Sequence, residues 1–186
     1  MKIKRQKNNR QRKLHIGGII PRTGWEILNA VPGEHIKHVC DATDLSMFQG
    51  NTFFKIYSSH VLEHFDYKKV LDVLQEWKRV LKPRGKIYIS VPDLDNLCRM
   101  FLFPDLTLTE RYHVMRMMFG GHMDKYDYHL QGLNFELLNN FLGGAGFINI
   151  QKVTKFDVDF QDTSNMLFHD IPVSVNVIAE KPICAI

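Results

Sequence analysis

A strand pattern, a helix pattern and a second strand pattern follow one another between Phe53 and Val91. The segment from Phe53 to Tyr57 is apolar and aromatic, as in a buried strand. After it, apolar residues recur at three- and four-residue spacing and form one stripe: Val70, Leu71, Val73, Leu74, Trp77, Val80 and Leu81. The segment from Lys86 to Val91 returns to strand composition. Two parallel strands need such a crossover, so the order indicates an α/β sheet.

Further patterns extend this unit in both directions. Strands are predicted at 13–16, 25–28, 36–40, 147–153 and 173–179. Thr107 and Glu110 have capping-box spacing ahead of a helix that reaches Phe119, and Asn134 can cap another helix through Leu142. These elements predict a single α/β domain of three layers around a mostly parallel sheet, with an antiparallel strand near the C-terminus.

The connections between the first three strands are short. Six residues, Ile19 to Gly24, separate the first two strands, and they can span about 20 Å. That length returns the chain along a short strand, but a crossover helix needs about a dozen residues. The connection around Pro32 to Glu34 is equally short. We therefore predict a trimmed sheet with one edge poorly covered by helices, which a second subunit of a homo-oligomer could cover.

Charge is distributed unevenly along the 186 residues. The net charge is +4, yet residues 1–13 hold seven basic and no acidic residues, so the rest of the chain carries −3. This contrast predicts a basic flexible tail over residues 1–13 and a folded domain over residues 14–186. The tail could contact nucleic acid or an anionic surface. A solvated terminus is favoured, because the body of the chain has no matching basic stripe.

The cysteines and the apolar runs indicate the setting of the protein. Cys40, Cys98 and Cys184 are far apart and form no C-x-x-C pair, so neither a disulfide framework nor a thiolate zinc site is expected. No apolar run reaches the roughly 20 residues that cross a bilayer, and Leu14 to Ile20 is too short for a signal peptide. We expect a cytoplasmic protein without membrane contact.

The segment from Phe53 to Asp93 has a specific resemblance. It reads as a strand, Ser-Ser-His-Val-Leu-Glu-His, a helix, Arg-Val-Leu-Lys-Pro-Arg-Gly, a strand and Val-Pro-Asp. This order resembles the small type 11 class I S-adenosylmethionine-dependent methyltransferases, in which a Leu-Glu-His turn and a Val-Leu-Lys-Pro-Gly-Gly turn flank the helix. Ala145-Gly146-Phe147 is also similar to the family, and the resemblance spans about residues 13–180. It implies a Rossmann-like methyltransferase sheet.

The resemblance implies S-adenosylmethionine as cofactor and a set of residues that bind it. These are Gly17 and Gly18 in the glycine-rich first turn, Asn29 at the ribose position, Asp41 and Ala42 at the adenine position, and Ser59 after the fourth strand. The first turn departs from the family pattern, because His15 stands at the acidic position and Ile19 replaces a glycine. Asn29 also replaces an acid, so its hydrogen bonds lack charge assistance.

The implied function is methyl transfer to a small-molecule or sugar-like acceptor. The departures at His15, Ile19 and Asn29 keep a second hypothesis open, a degenerate methyltransferase-fold binding module without catalysis. Methylation of nucleic acid is not favoured, because Ser58-Ser59-His60-Val61 does not match the Asn- or Asp-Pro-Pro-aromatic turn of enzymes that methylate exocyclic amines.

Three residues near strand ends or in a loop are candidate catalytic groups. His60 follows the fourth strand, Asp93 follows the fifth, and His129 lies in a loop with Tyr126 and Asp127. A hydroxyl acceptor needs a base, which these side chains could supply. For His60 the alternative is a turn residue bonded to backbone, and for Asp93 it is a helix N-cap.

The letters from His60 to His64 also spell H-x-x-E-H, the signature of one group of zinc peptidases. In that hypothesis both histidines bind one metal and Glu63 is the base. Short motifs misfire often, and this one sits where methyltransferases carry Leu-Glu-His. The sequence therefore predicts no metal ligands, and a zinc hydrolase remains the less favoured alternative.

Overall fold

The computed structural model describes residues 11–158 and 160–183. The strands are β1 (Lys13–Ile16), β2 (Trp25–Asn29), β3 (His38–Val39), β4 (Phe53–Ser59), β5 (Leu81–Pro92), β6 (Ile148–Val153), β7 (Leu167–Phe168), β8 (Ile171–Pro172) and β9 (Ser174–Glu180). The α-helices are α1 (Val70–Val80), α2 (Leu94–Phe101), α3 (Leu108–Phe119) and α4 (Phe135–Gly144). Two 3₁₀ turns, Leu62–His64 and Thr163–Asn165, complete the described elements.

Seven strands form one sheet in the order β3-β2-β1-β4-β5-β9-β6. The first five strands run parallel to their neighbours, and β9 runs antiparallel to both β5 and β6. The predicted α/β class, mostly parallel sheet and antiparallel strand near the C-terminus are thereby confirmed. Because β1 to β5 are parallel, the residues that follow their carboxyl ends meet at one edge of the sheet, where ligands bind in open α/β folds.

The main core lies between one face of the sheet and helices α1 and α4. Ile56 and Ile87 point to this face, where they pack with Trp77 of α1 and Leu138 of α4. Successive residues of a strand point to opposite faces, so Tyr57 lies on the other side of the sheet. The buried face of α1 consists of five residues of the predicted stripe: Val70, Val73, Leu74, Trp77 and Val80. Leu71 is exposed, and Leu81 begins β5 instead of extending the helix.

The second face of the sheet is covered by irregular chain. Tyr57 and Tyr88 pack there with Phe156 and Phe160, which come from the segment between β6 and β7. The rings of Phe160 and Tyr57 stack with centroids 4.1 Å apart, and the Tyr57 hydroxyl donates a hydrogen bond of 2.7 Å to Asp162. The connections among β1, β2 and β3 contain no helix, as expected. The third layer is therefore built from residues 154–158 and 160–166 of the same chain, which cover much of this face.

Local capping explains where several helices begin. Thr107 and Glu110 form the predicted capping box of α3, and Asn134 accepts a hydrogen bond from the backbone N–H of Leu137 at the start of α4. The third strand, His38–Val39, is shorter than the predicted 36–40. The residues on either side of it form turns and bends, so this edge strand of the sheet has only two residues.

Residues 1–10 of the predicted tail and Cys184 lie outside the described residues. Arg12, at the end of that segment, forms an ion pair with Glu26, with 2.7 Å between Nε and Oε1. Cys40 and Cys98 are free thiols. None of the helices seen in the described ranges has the length and apolar character required to cross a membrane.

Candidate functional site

A cavity of about 670 Å³ lies at the carboxyl ends of β1, β2 and β4. Five residues predicted for cofactor binding or catalysis line it: Gly17, Asn29, Asp41, Ala42 and His60. The loop from Asp124 to Tyr128 contributes another wall. The topology brings these residues together because each of them follows the carboxyl end of a parallel strand.

The turn after β1 has no room for side chains at its two glycines. Gly17 has φ of +79°, and a Cβ atom there would lie 2.3 Å from Cγ2 of Val61. At Gly18 a Cβ atom would lie 2.3 Å from Nδ1 of His15. The backbone N–H of Gly17 donates to the carbonyl of Leu28 at 2.8 Å. Glycine is therefore required at this turn for both conformation and close packing.

Asn29 fixes the glycine turn with its own side chain. Its Nδ2 donates to the carbonyls of Gly17 and Gly18, both at 3.2 Å, and its Oδ1 accepts from the backbone N–H of Val31 at 2.9 Å. Both amide protons are used in this way. Asn29 can therefore contact a ribose hydroxyl only as an acceptor, through the second lone pair of Oδ1.

Asp41 and Ala42 form a rigid stretch on the cavity wall. Oδ1 of the exposed Asp41 accepts a hydrogen bond of 2.8 Å from the backbone N–H of Thr43. The carbonyl of Ala42 accepts from the indole N–H of the buried Trp77, also at 2.8 Å. These two bonds hold an acidic side chain in place without neutralising its charge.

A second cavity, of about 190 Å³, adjoins the first and shares Gly17 and Ile19 with it. Gly18 and Ser59, both predicted to bind cofactor, line this smaller cavity together with His15. Burial lowers the pKa of His15 to about 4, although Asp162 acts in the opposite direction. The residue at the family's acidic position is therefore an uncharged imidazole at neutral pH.

His60 has an unusual backbone conformation, and its imidazole ring contacts Ser174 and Glu63. Its φ is +53°, which is uncommon for a residue with a side chain. The Ser174 hydroxyl donates its proton to the carbonyl of Thr163 at 3.0 Å, so it must accept from Nε2 of His60 at 2.8 Å. Nδ1 of His60 then faces Oε1 of Glu63 at 3.3 Å. Burial, and secondarily the nearby His129, lower the pKa of His60 to about 4.

Glu63 is a buried carboxyl that was not among the predicted site residues. The Leu-Glu-His turn includes it, but only the zinc-peptidase alternative gave it a role, as the base of H-x-x-E-H. In the structure Glu63 is 1% exposed, and neither carboxylate oxygen accepts a hydrogen bond of good geometry from the described residues. Burial raises its pKa to about 8.

The other two candidate catalytic residues lie in different surroundings. His129 donates from Nδ1 to the carbonyl of Met118 at 3.2 Å, and its Nε2 lies 3.9 Å from Oε1 of Glu63. Asp93 is the N-cap of α2 and accepts from the backbone N–H of Asp95 at 3.2 Å. The structure thus brings His60 and His129 to the same carboxyl group, whereas Asp93 has the capping role that was its alternative.

The loop on the far wall presents aromatic and polar side chains. Tyr126, Asp127 and Tyr128 all line the larger cavity. The ring of Tyr128 stacks on His122 with centroids 4.1 Å apart, and Asp127 accepts from the backbone N–H of Met123 at 3.1 Å. These contacts give the loop a defined shape opposite the glycine turn.

Comparisons with known proteins find a match in the central part of the chain. Residues 26–89, about a third of the chain, match the family model Methyltransf_11, described as "Methyltransferase domain". A curated relative, the uncharacterized protein MJ0638 of Methanocaldococcus jannaschii, is 36% identical over 61 residues. That stretch is 33% of this chain and 26% of the relative, so the match spans only about a quarter of the relative's length.

Solved structures are similar over nearly the whole chain. A SAM-dependent methyltransferase from Archaeoglobus fulgidus has a TM-score of 0.57 at 17% identity, covering 92% of this chain and 86% of its own. The 1,6-didemethyltoxoflavin-N1-methyltransferase of Burkholderia thailandensis, solved with 1,6-didemethyltoxoflavin and S-adenosylhomocysteine, has a TM-score of 0.58 at 15% identity, covering 91% and 70%. At such low identity these likenesses establish the fold.

Proposed function

We propose that this chain, which has the class I methyltransferase fold and a type 11-like methyltransferase signature in residues 26–89, transfers a methyl group from S-adenosylmethionine to a small-molecule or sugar-like acceptor. The observation that carries the proposal is the cavity at the strand ends, lined by the glycine turn on one side and by Asp41 and Ala42 on another. The family match implies S-adenosylmethionine as the cofactor.

The residues present fit this cofactor. Val61 and His15 fill the space that Cβ atoms would take at Gly17 and Gly18, so no side chain from these two positions separates the backbone from a ligand in the cavity. Asp41 offers a charged acceptor on the cavity wall, and Asn29 offers one remaining lone pair. Ser59 lines the adjoining smaller cavity. When bound, the cofactor supplies an electrophilic methyl group on a sulfonium.

The acceptor would occupy the part of the cavity below the loop of Tyr126 and Tyr128. A volume of about 670 Å³ is typical of sites for small molecules. Methyl displacement depends chiefly on in-line placement and exclusion of water, which the stacked loop supports. Of the candidate catalytic residues, His60 lines this cavity and is proposed to contact the acceptor. The free thiols of Cys40 and Cys98 favour a reducing, cytoplasmic setting.

Asp41 and Asp44 offer a matched test of the cofactor site. Each accepts a hydrogen bond from the backbone N–H two residues later, but only Asp41 lines the cavity. In calorimetric titrations with S-adenosylmethionine and S-adenosylhomocysteine, Asp41→Ala is expected to weaken binding by about 1 to 3 kcal/mol, the usual cost of an unpaired ligand donor. Asp44→Ala should bind as the parent protein does.

The outcomes separate the hypotheses. Equal affinity in the parent and Asp41→Ala would place the cofactor elsewhere. No binding of either compound at millimolar concentration would favour the degenerate binding module, for which the internally bonded amide of Asn29 is the structural argument. If binding is observed, transfer of labelled methyl groups to a panel of sugars and small hydroxyl compounds tests the acceptor class.

A further inference from the structure

Three side chains with metal-ligating atoms converge beside the larger cavity. Among the described residues, one ligand atom from each of Glu63, His64 and His129 lies within 4.8 Å of the others. Glu63 and His64 belong to the 3₁₀ turn after β4, and His129 comes from the loop that follows α3. The imidazole rings of His64 and His129 meet edge to face with centroids 5.0 Å apart.

Backbone carbonyls fix the tautomers of both histidines. Nδ1 of His64 bonds to the carbonyl of Tyr128 at 3.0 Å, and Nδ1 of His129 bonds to the carbonyl of Met118 at 3.2 Å. A carbonyl oxygen can only accept, so in each neutral ring Nδ1 carries the proton and Nε2 carries the free lone pair. Metal-binding histidines characteristically donate their other N–H group in this way.

Glu63 lacks the partners that a buried carboxylate requires. Its oxygens are fully enclosed and receive no well-oriented hydrogen bond from the described residues. Nδ1 of His60 stands 3.3 Å from Oε1, but the bond from Nε2 of His60 to Ser174 leaves that nitrogen without a proton in the neutral ring. The neutral acid, which burial favours, has no charge to balance, but the ionised form is costly here unless it is paired or coordinates a metal ion.

We propose that Glu63, His64 and His129 bind a divalent first-row transition metal ion of the Zn²⁺ type. Two histidines and one glutamate are a known zinc ligand set, in which a fourth position stays open. The ligands of a tetrahedral zinc ion stand roughly 3.4 Å apart, so binding draws these side chains together by about an ångström. His64 lines the larger cavity, which gives the ion a path of entry.

This site differs from the zinc-peptidase hypothesis for H-x-x-E-H. That hypothesis uses His60 and His64 as ligands and needs Glu63 as a free base. Here Nε2 of His60 is bonded to Ser174, and Glu63 is itself a ligand. The ion instead joins the turn after β4 to the loop after α3, which already meet through the bond from Leu130 N–H to the Glu63 carbonyl at 2.9 Å. The site therefore stabilises a wall of the cavity.

Metal titration without any methyl donor tests the proposal independently of the proposed methyltransferase activity. The full chain is stripped with a chelator and titrated with Zn²⁺ in a calorimeter and with Co²⁺ in a spectrophotometer. We expect one ion per chain, visible d–d bands of low-symmetry Co²⁺ and a higher melting temperature with Zn²⁺. His64→Gln and His129→Gln should each lose more affinity than the roughly 10- to 100-fold typical when only a supporting hydrogen-bond partner is removed.

His35→Gln is the matched control, because His35 is exposed and lies outside the cluster. It should bind one ion as tightly as the parent. Circular dichroism establishes that each variant is folded. Because there are two ligand variants, the test can still be made if one of them does not fold. The proposal fails if the stripped parent takes up no stoichiometric Zn²⁺ or Co²⁺, or if both ligand variants bind as His35→Gln does.

Discussion

Gly17 occupies a position in the cavity wall that excludes a side chain for two separate reasons. Its φ of +79° disfavours any residue with a Cβ atom, and Val61 fills the space that the Cβ atom would take. Gly24 has nearly the same φ, +83°, but nothing lies within 4 Å of its Cβ position. An alanine at Gly24 would therefore carry only the conformational cost of a positive φ, whereas an alanine at Gly17 would also carry the steric cost of the contact with Val61.

Gly17→Ala should destabilise the protein more than Gly24→Ala. The left-handed conformation costs about 1 to 2 kcal/mol in either variant, and overpacking against Val61 adds about 1 to 3 kcal/mol at position 17 alone. Urea unfolding measures both free energies, and calorimetry with S-adenosylmethionine should show weaker binding only for Gly17→Ala. Equal losses of stability would mean that Val61 moves away without cost.

At the residue scale, the sequence predicted which residues lie together better than it predicted their hydrogen-bond partners. Gly17, Asp41 and His60 could be placed together because each follows a strand that the apolar pattern predicts. The partners of Asn29 and the burial of Glu63 depend on loops whose paths no local pattern specifies. His64 shows the same limit, since its role depends on a carbonyl 64 residues away in the chain.

Among the elements, residues 154–158 and 160–166, which contain only one short 3₁₀ turn, cover a face of the sheet that a crossover helix could otherwise cover. Phe160 is 7% exposed, stacks on Tyr57 and meets Trp25 with ring centroids 5.1 Å apart. The connection between β1 and β2 is too short for a helix, so aromatic side chains from the far end of the chain cover that face. This cover links the stability of β1, β2 and β4 to residues near the C-terminus.

Phe160→Ala is expected to cost about 3 kcal/mol in the free energy of unfolding, the usual range for deleting a buried phenylalanine ring. Phe119→Ala is the control, because Phe119 is 55% exposed and its loss should cost under about 1 kcal/mol. Chemical denaturation followed by circular dichroism measures both values. Similar losses in the two variants would show that residues 154–158 and 160–166 contribute little to the fold.

Periodicity predicted the strands and helices that have strong patterns. It did not predict that the segment between β6 and β7 covers the second face of the sheet. Helix α1 was predictable because one of its faces is buried, and the 87–91 strand core was predictable because it is buried on both faces and has strand composition. Phe156, Val158 and Phe160 alternate with polar residues, a period of 2 that gives the segment one apolar side, but this pattern does not show that the apolar side packs on the sheet. The short connection after Ile19 indicated an uncovered region, but the covering group came from distant sequence.

For the whole molecule, the buried neutral His15 and the ion-paired Glu26 both make the folded state less stable as the pH falls. Arg12, followed by His38 and Lys37, holds the pKa of Glu26 far below its usual range, against the opposing effect of burial. His15 is buried and neutral. In both cases the unfolded chain binds protons more readily than the folded chain, so acid destabilises the fold.

His15 should contribute to this loss between about pH 6.5 and pH 4. Its pKa falls from 6.5 to about 4 on folding, so its contribution is complete above pH 6.5 and is lost progressively as the pH drops towards 4. At about 1.4 kcal/mol per pKa unit, the loss reaches about 3 kcal/mol. His15→Phe keeps an aromatic ring beside Tyr57 and Phe160 but removes the titrating group, so its stability should decline less over this window.

Urea unfolding at intervals from pH 7 to pH 4 measures the effect, with His35→Gln as the exposed control that should follow the parent curve. His60 has a depressed pKa of the same sign and remains in all three proteins, so a residual decline in His15→Phe is expected. Parallel curves for all three proteins would show that His15 is not the group responsible. The expected pattern is a stability difference between His15→Phe and the parent that changes in favour of the variant from pH 7 towards pH 4, because burial disfavours the protonated imidazole in the folded chain.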